Sequence, residues 1–83
     1  MIELARNPVQ VGNVIQRERK RRGWNQTQLA DKAGLRQETI SLIETGNPAT
    51  RIETILAVLV ALDLELRIAT RSAAKASDIE DLF

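Results

Sequence analysis

Between Arg36 and Thr45 the chain sets amide, hydroxyl and charged side chains around two isoleucines, Ile40 and Ile43. Their i, i+3 spacing predicts a short helix with both turned inward. Arg36, Gln37, Thr39 and Ser41 then project outward, flanked by Glu38 and Leu42. The chemistry open to such a set is recognition. A glutamine amide can bond adenine N6 and N7 together, an arginine can reach guanine or a phosphate, and a glutamate can accept from cytosine N4. Glu38 could equally repel wrong contacts. Leu42 either touches a thymine methyl or joins the core. Bond-making chemistry has little to work with. The sequence has no histidine and no cysteine, and its carboxylates and hydroxyls form no arrangement that activates a nucleophile. An enzyme is therefore the weak reading, and no metal or cofactor is expected.

The elements that must position these residues are legible around them. Asn25 with Gln28 three residues on makes a capping box that starts a helix. Leu29, Ala30 and Ala33 form its apolar face. Gly34 falls just past its end, where a left-handed residue is needed, and Leu35 turns inward. The second helix follows from about Gln37, and Gly46 closes it. Two short helices about a tight turn make a helix-turn-helix, whose second helix can lie in the DNA major groove. Gln26 and Thr27 open the first of the two, where free N–H groups point at anions. A small helical bundle that binds only protein is the competing interpretation.

Gln26, Leu29, Ala30, Gly34, Leu35, Gln37, Ile40, Ser41, Glu44 and Gly46 match, in identity and spacing together, the motif of the phage-repressor (Cro/CI, or XRE) family. The resemblance spans roughly Val9 to Leu62. It implies an all-α, lambda-repressor-like bundle that binds double-stranded DNA at a specific site. It also implies that Gln26 holds a phosphate and that Arg19 pairs with Glu44. Such a pair would fix the angle between two helices more surely than it adds net stability. Glu18 stands where the family usually has an apolar residue, which predicts looser packing at the end of the first helix.

That first helix should start at Asn7-Pro8, with asparagine as cap and proline at the first helical position. It runs to about Arg22, with Val11, Val14 and Ile15 as its buried stripe. Residues 1–6 form an arm that either adds a small strand or stays disordered. Trp24 should pack under the turn into the next helix. After Gly46, Asn47-Pro48 makes a turn, and Thr50 with Glu53 reads as a second capping box. Asn47, Thr50 and Arg51 lie beside the recognition helix as further phosphate candidates. Ile52, Ile55, Leu56, Leu59 and Leu62 should line the core, and Val58 and Val60 leave this last helix apolar nearly all round, a pattern of burial on more than one side.

From Leu64 to Thr70 the pattern alternates, with Leu64, Leu66 and Ile68 on one face. That is strand periodicity. A lone strand needs a partner. Within the family, an apolar fourth helix followed by one short strand resembles the HipB-type antitoxins. That likeness implies a homodimer, the strand pairing with its mate through Leu64, Leu66 and Ile68. It also implies a palindromic operator, a HipA-type kinase toxin as partner, and repression of the pair's own operon. A stand-alone phage-type or metabolic repressor is one rival, and a protein-interaction module that inhibits an enzyme is another.

Length and charge fit this picture. Eighty-three residues make one small domain that buries only roughly 60–65% of its unfolded surface, so oligomerisation is the expected support. The division expected is 1–70 as the DNA-binding and dimerisation domain and 71–83 as a flexible acidic tail. The net charge of +1 points nowhere by itself. Its distribution does, with Arg17, Arg19, Lys20, Arg21 and Arg22 clustered and Asp78, Glu80 and Asp81 at the far end. This suggests a basic body facing DNA. No run of apolar residues is long enough to span a membrane, and the lack of cysteine fits a reducing cytoplasm.

Overall fold

The computed structural model describes residues 3–70 and holds four helices: α1 Pro8–Arg21, α2 Gln26–Ala33, α3 Gln37–Glu44 and α4 Ile52–Ala61. Helix α1 starts as its sequence predicts. Asn7 is extended, its side chain accepts from the Gln10 N–H, and Pro8 follows where no N–H is needed. The Asn25–Gln28 capping box forms in both directions, each bond 2.8 Å. Every helix ends the same way. A left-handed residue reverses the chain, and the next N–H returns to a carbonyl of the last turn: Trp24 to Arg19, Leu35 to Ala30, Asn47 to Leu42 and Leu64 to Leu59. Gly23, Gly34 and Gly46 supply the left-handed residue for α1 to α3; Asp63, at φ 57°, supplies it for α4.

The core is Ile15, Leu29, Ala30, Ile40, Ile43, Val58 and Leu62, with Val11, Trp24, Leu35, Ile55, Leu59 and Leu64 packed around it. Helix α3 lies against both α1 and α2, and α4 packs on α2. The crossing of α1 and α3 depends on Gly12. A Cβ there would sit 2.3 Å from the Ile43 carbonyl oxygen and 2.8 Å from that of Glu44.

Two expectations at α4 fail. Arg51, not Thr50, is its N-cap, and no side chain caps it. The first helical carbonyl is that of Arg51, which takes the Ile55 N–H at 3.2 Å. Thr50 lies one residue early because Asn47 has already closed a turn over it, accepting from the Ala49 N–H at 2.9 Å. The buried stripe also differs. Val58 and Leu62 are fully buried and Ile55 and Leu59 partly so, whereas Ile52, Leu56 and Val60 face outward, 63%, 40% and 77% exposed. Those three recur every four residues, so they form the second apolar side that the sequence pattern implied.

Glu18 does not loosen α1. It is buried and accepts from Arg22 at 2.9 Å and from Arg21 at 3.4 Å. Arg22 also donates to the Leu62 carbonyl and so ties the end of α4 to the end of α1.

Among the described residues no strand ladder forms. No backbone hydrogen bond joins residues 65–70 to the arm at 3–6 or to any other segment of the single chain. Leu66 and Ile68 are exposed there. The tail expected at 71–83 lies outside the described residues. No helix among them is long and apolar enough to cross a membrane.

Candidate nucleic-acid interface

Helix α3 meets the core with Ile40, Ile43 and the Glu44 side chain. That burial turns Gln37, Glu38 and Leu42 outward and exposed, with Thr39 and Ser41 half-buried at the flanks. Leu42 is thus surface rather than core. Arg36 precedes the helix in an extended conformation and is exposed. Thr45 closes the last turn, its hydroxyl donating to the Ser41 and Leu42 carbonyls.

The start of α2 lies beside the start of α3. The Gln37 side-chain amide donates to the Gln26 carbonyl oxygen at 2.6 Å, and the Gln26 amide donates to Glu44 Oε1 at 3.2 Å. Glu44 in turn accepts Arg19 twice, Nε at 2.7 Å and Nη2 at 3.0 Å. The Arg19–Glu44 pair that the family resemblance implied is present, bidentate and almost wholly shielded, with side chains 9% and 1% exposed. Bonding to the Glu44 carboxylate holds the Arg19 pKa above its ordinary value despite burial. A third Arg19 bond, to the Trp24 carbonyl at 2.7 Å, fixes the link between α1 and α2. A continuous polar path therefore runs from the interior, through Glu44 and Gln26, to Gln37 on the surface.

The remaining candidates surround this path. Thr27 is exposed at the start of α2. Asn47 and Thr50 are half-buried in the turn after α3. Arg51 is exposed and pairs with Glu53 at 3.2 Å. So exposed a pair is worth little, and the guanidinium can leave it for a stronger anion.

The basic cluster of α1 is mostly answered within the chain. Arg17 pairs with Glu3, Arg19 with Glu44, and Arg21 and Arg22 with Glu18. Arg19 and Arg22 are largely covered, whereas the Arg17 and Arg21 side chains stay 56% and 74% exposed. Lys32 and Trp24 also meet, the ammonium 4.7 Å from the ring centroid; both residues were legible as types, but no spacing rule pairs them. The Glu44–Gln26 bond was likewise out of reach of pattern reading, since it joins residues eighteen apart on different helices. Among the described residues no group of side chains could hold a metal ion.

Residues 15–68 match the family described as Helix-turn-helix. Among curated proteins the chain is similar to the antitoxin HipB of Escherichia coli O6:H1, 32% identical over 78 residues, covering 92% of this chain and 83% of that protein. It is also similar to the antitoxin HipB of Escherichia coli K12, 35% identical over 60 residues, covering 72% and 68%. Among solved structures, a HipB-O4 20mer complex superposes with a TM-score of 0.78 at 30% identity, covering 84% of this chain and 99% of that one. A HipA-HipB-O2-O3 complex superposes with a TM-score of 0.76 at 32% identity and the same coverage.

Proposed function

We propose that this chain, which belongs to the XRE-type helix-turn-helix family in its HipB-like branch, is a DNA-binding antitoxin that represses its own operon. It binds a palindromic double-stranded operator as a homodimer and pairs with a HipA-type kinase toxin. The observation that carries the reading is the surface of α3. Its outward end presents Gln37, held by Gln26 at the start of α2, on a helix that the core fixes rigidly from behind.

In this reading Gln37 meets a base edge, while Gln26 and Arg51 hold phosphates on either side, with Thr27, Asn47 and Thr50 beside them. Arg36, Glu38, Thr39, Ser41 and Leu42 complete the groove-facing surface. Two copies join through residues 64–70, Leu64, Leu66 and Ile68 packing over the two α4 helices. That union covers Ile52, Leu56 and Val60, an apolar stripe that a soluble single chain would leave wet. It also sets two recognition helices roughly 34 Å apart, one turn of DNA. The kinase partner is supported by the solved HipA-HipB complex to which the chain is similar.

Titration of duplexes from the chain's own promoter tests the reading. Gln37→Ala should cost about 1–3 kcal/mol on the operator and relax base preference. Arg51→Ala should weaken all duplexes alike and flatten the salt dependence. Equal loss on operator and random DNA with Gln37→Ala would refute the base-reading role. A kinase-sized companion co-purifying from native cells separates the antitoxin from a stand-alone repressor.

A further inference from the structure

We propose that Glu38 and Leu42 read one base together and that this base is 5-methylcytosine, an inference that rests on the DNA-binding reading above and deepens it.

The two side chains stand one turn apart on the outward face of α3, both exposed, Leu42 by 51%. Residues i and i+4 are neighbours on a helix, about 5–6 Å apart at Cβ. Helical side chains lean toward the N-terminus, so Leu42 lies over the turn that begins at Glu38. A charged acceptor and an apolar group therefore form one small surface. Neither is engaged within the chain. Leu42 is outside the core, and none of the ion pairs among the described residues includes Glu38. Glu38 also suits the first turn of α3, where a negative charge meets the helix N-terminus. That role needs no groove, and the test below separates the two.

Each member of the pair is unfavourable in the groove unless something there answers it. A carboxylate between two phosphate backbones is repelled by both, and only a donor on a base edge offsets that. The major groove offers two such donors, cytosine N4 and adenine N6. A wet leucine gains only from an apolar group, and the one that a base presents there is a methyl on C5 of a pyrimidine. Positions 4 and 5 are adjacent atoms of one ring. A donor at position 4 beside a methyl at position 5 is 5-methylcytosine. Thymine has the methyl but sets its O4 acceptor against the carboxylate. Cytosine has the donor and leaves Leu42 wet. Adenine has no methyl. The pair thus makes affinity for the operator depend on whether one cytosine is methylated.

The test is selection of the full chain on two random-sequence duplex libraries, one built with cytosine and one with 5-methylcytosine, followed by titration of duplexes altered at single positions. At one position the wild-type chain should bind the methylated form about fourfold tighter than the unmethylated form, the gain from burying one methyl. It should bind thymine there about tenfold more weakly than 5-methylcytosine, for want of a hydrogen bond to the carboxylate. Leu42→Ala should bind the methylated and unmethylated forms alike. Glu38→Gln can donate as well as accept, so it should keep the methyl gain and lose most of the bias against thymine. A bias against thymine that Glu38→Gln leaves unchanged would confine Glu38 to the helix terminus and overturn the proposal. Equal affinity of the wild-type chain for the two forms overturns it too, as does a methyl gain that survives Leu42→Ala. Uracil placed at each thymine in turn covers the divided case: a Leu42-dependent loss there would put the methyl on a thymine, split the pair between two bases and overturn the proposal. In each of these outcomes DNA reading stands. Absence of any enrichment by the wild-type chain overturns DNA reading itself, and the methylcytosine assignment with it.

Discussion

Replacing Gly12 by alanine sets two effects against each other. In an open helix the change would stabilise by about 0.8–1.0 kcal/mol, the propensity difference between the two residues. Gly12, however, lies where α1 crosses α3. The new Cβ would stand 2.3 Å from the Ile43 carbonyl oxygen, 2.8 Å from the Glu44 oxygen and 2.9 Å from the Glu44 carbonyl carbon. All three are backbone atoms, so no rotamer change relieves the contact. Ordinary separation returns only if α3 backs away by roughly 1 Å, against a core that is packed like a crystal. Overpacking of this kind costs about 1–3 kcal/mol, occasionally more, and the distances here argue for the upper part of that range. The net loss should be about 1–2 kcal/mol, a fall in melting temperature of roughly 5–15 °C for a domain this small. Calorimetry reads the stability, and duplex titration below the variant's melting point reads the function. Operator affinity should fall further than random-duplex affinity, because the displaced helix is the one that carries Gln37. A melting temperature above the wild-type value would show that propensity wins and that the α1–α3 crossing yields easily.

Two further perturbations probe other parts of the molecule. Ile68→Pro removes a backbone donor from the segment proposed to pair, so sedimentation should show dimers for the wild-type chain and monomers for the variant; a variant that stays dimeric at micromolar concentration would move the interface to α4 alone. The Glu18 carboxyl is held below its ordinary value, chiefly by the hydrogen bond from Arg22, with the charges of Arg21, Arg22 and Arg17 adding to it and burial opposing. A depressed carboxyl contributes stability above its unfolded value and loses it as pH falls through the folded one. Glu18→Gln should therefore be less stable than wild type near neutrality, and the two should converge below about pH 4. Urea denaturation across that range checks it, and a gap that stays constant would show that the carboxylate charge is not what Glu18 contributes.

The residues that begin the first two helices and end the first three are open to reading, because their signals are local. Asn7-Pro8, the Asn25–Gln28 box and the glycines at 23, 34 and 46 each act within a few residues of themselves. The same locality misled at Thr50 and Glu53. The pair has capping-box spacing, but Asn47 closes its turn first and passes the cap to Arg51. Helix α4 was harder for a different reason. Where nearly every position is apolar, periodicity cannot choose the inner face: it offers Ile52 and Leu56 as readily as Val58, which holds the centre. Glu18 stands where the family pattern has an apolar residue, and it is Arg21 and Arg22, three and four residues on, that let a carboxylate be buried there. Of the candidate site, the outward residues of α3 followed from Ile40 and Ile43 alone. The bonds that connect Gln37 to Glu44 depend on how three helices meet, and no spacing along one chain contains that.

The bond from Arg22 to the Leu62 carbonyl has a mechanical consequence. Residues 64–70 leave α4 through a left-handed turn at Asp63, directly beyond that carbonyl. A pull on the segment would peel back the last turn of α4 if nothing held it. Arg22 rivets that turn to the end of α1, and Glu18 holds Arg22 in place. Force arriving at Leu64 is therefore delivered to the whole body at once, as through a stiff handle. Two bodies joined by such handles would keep their spacing under load, and a register error in the join would tilt each of them bodily instead of being absorbed by slack at the end of α4.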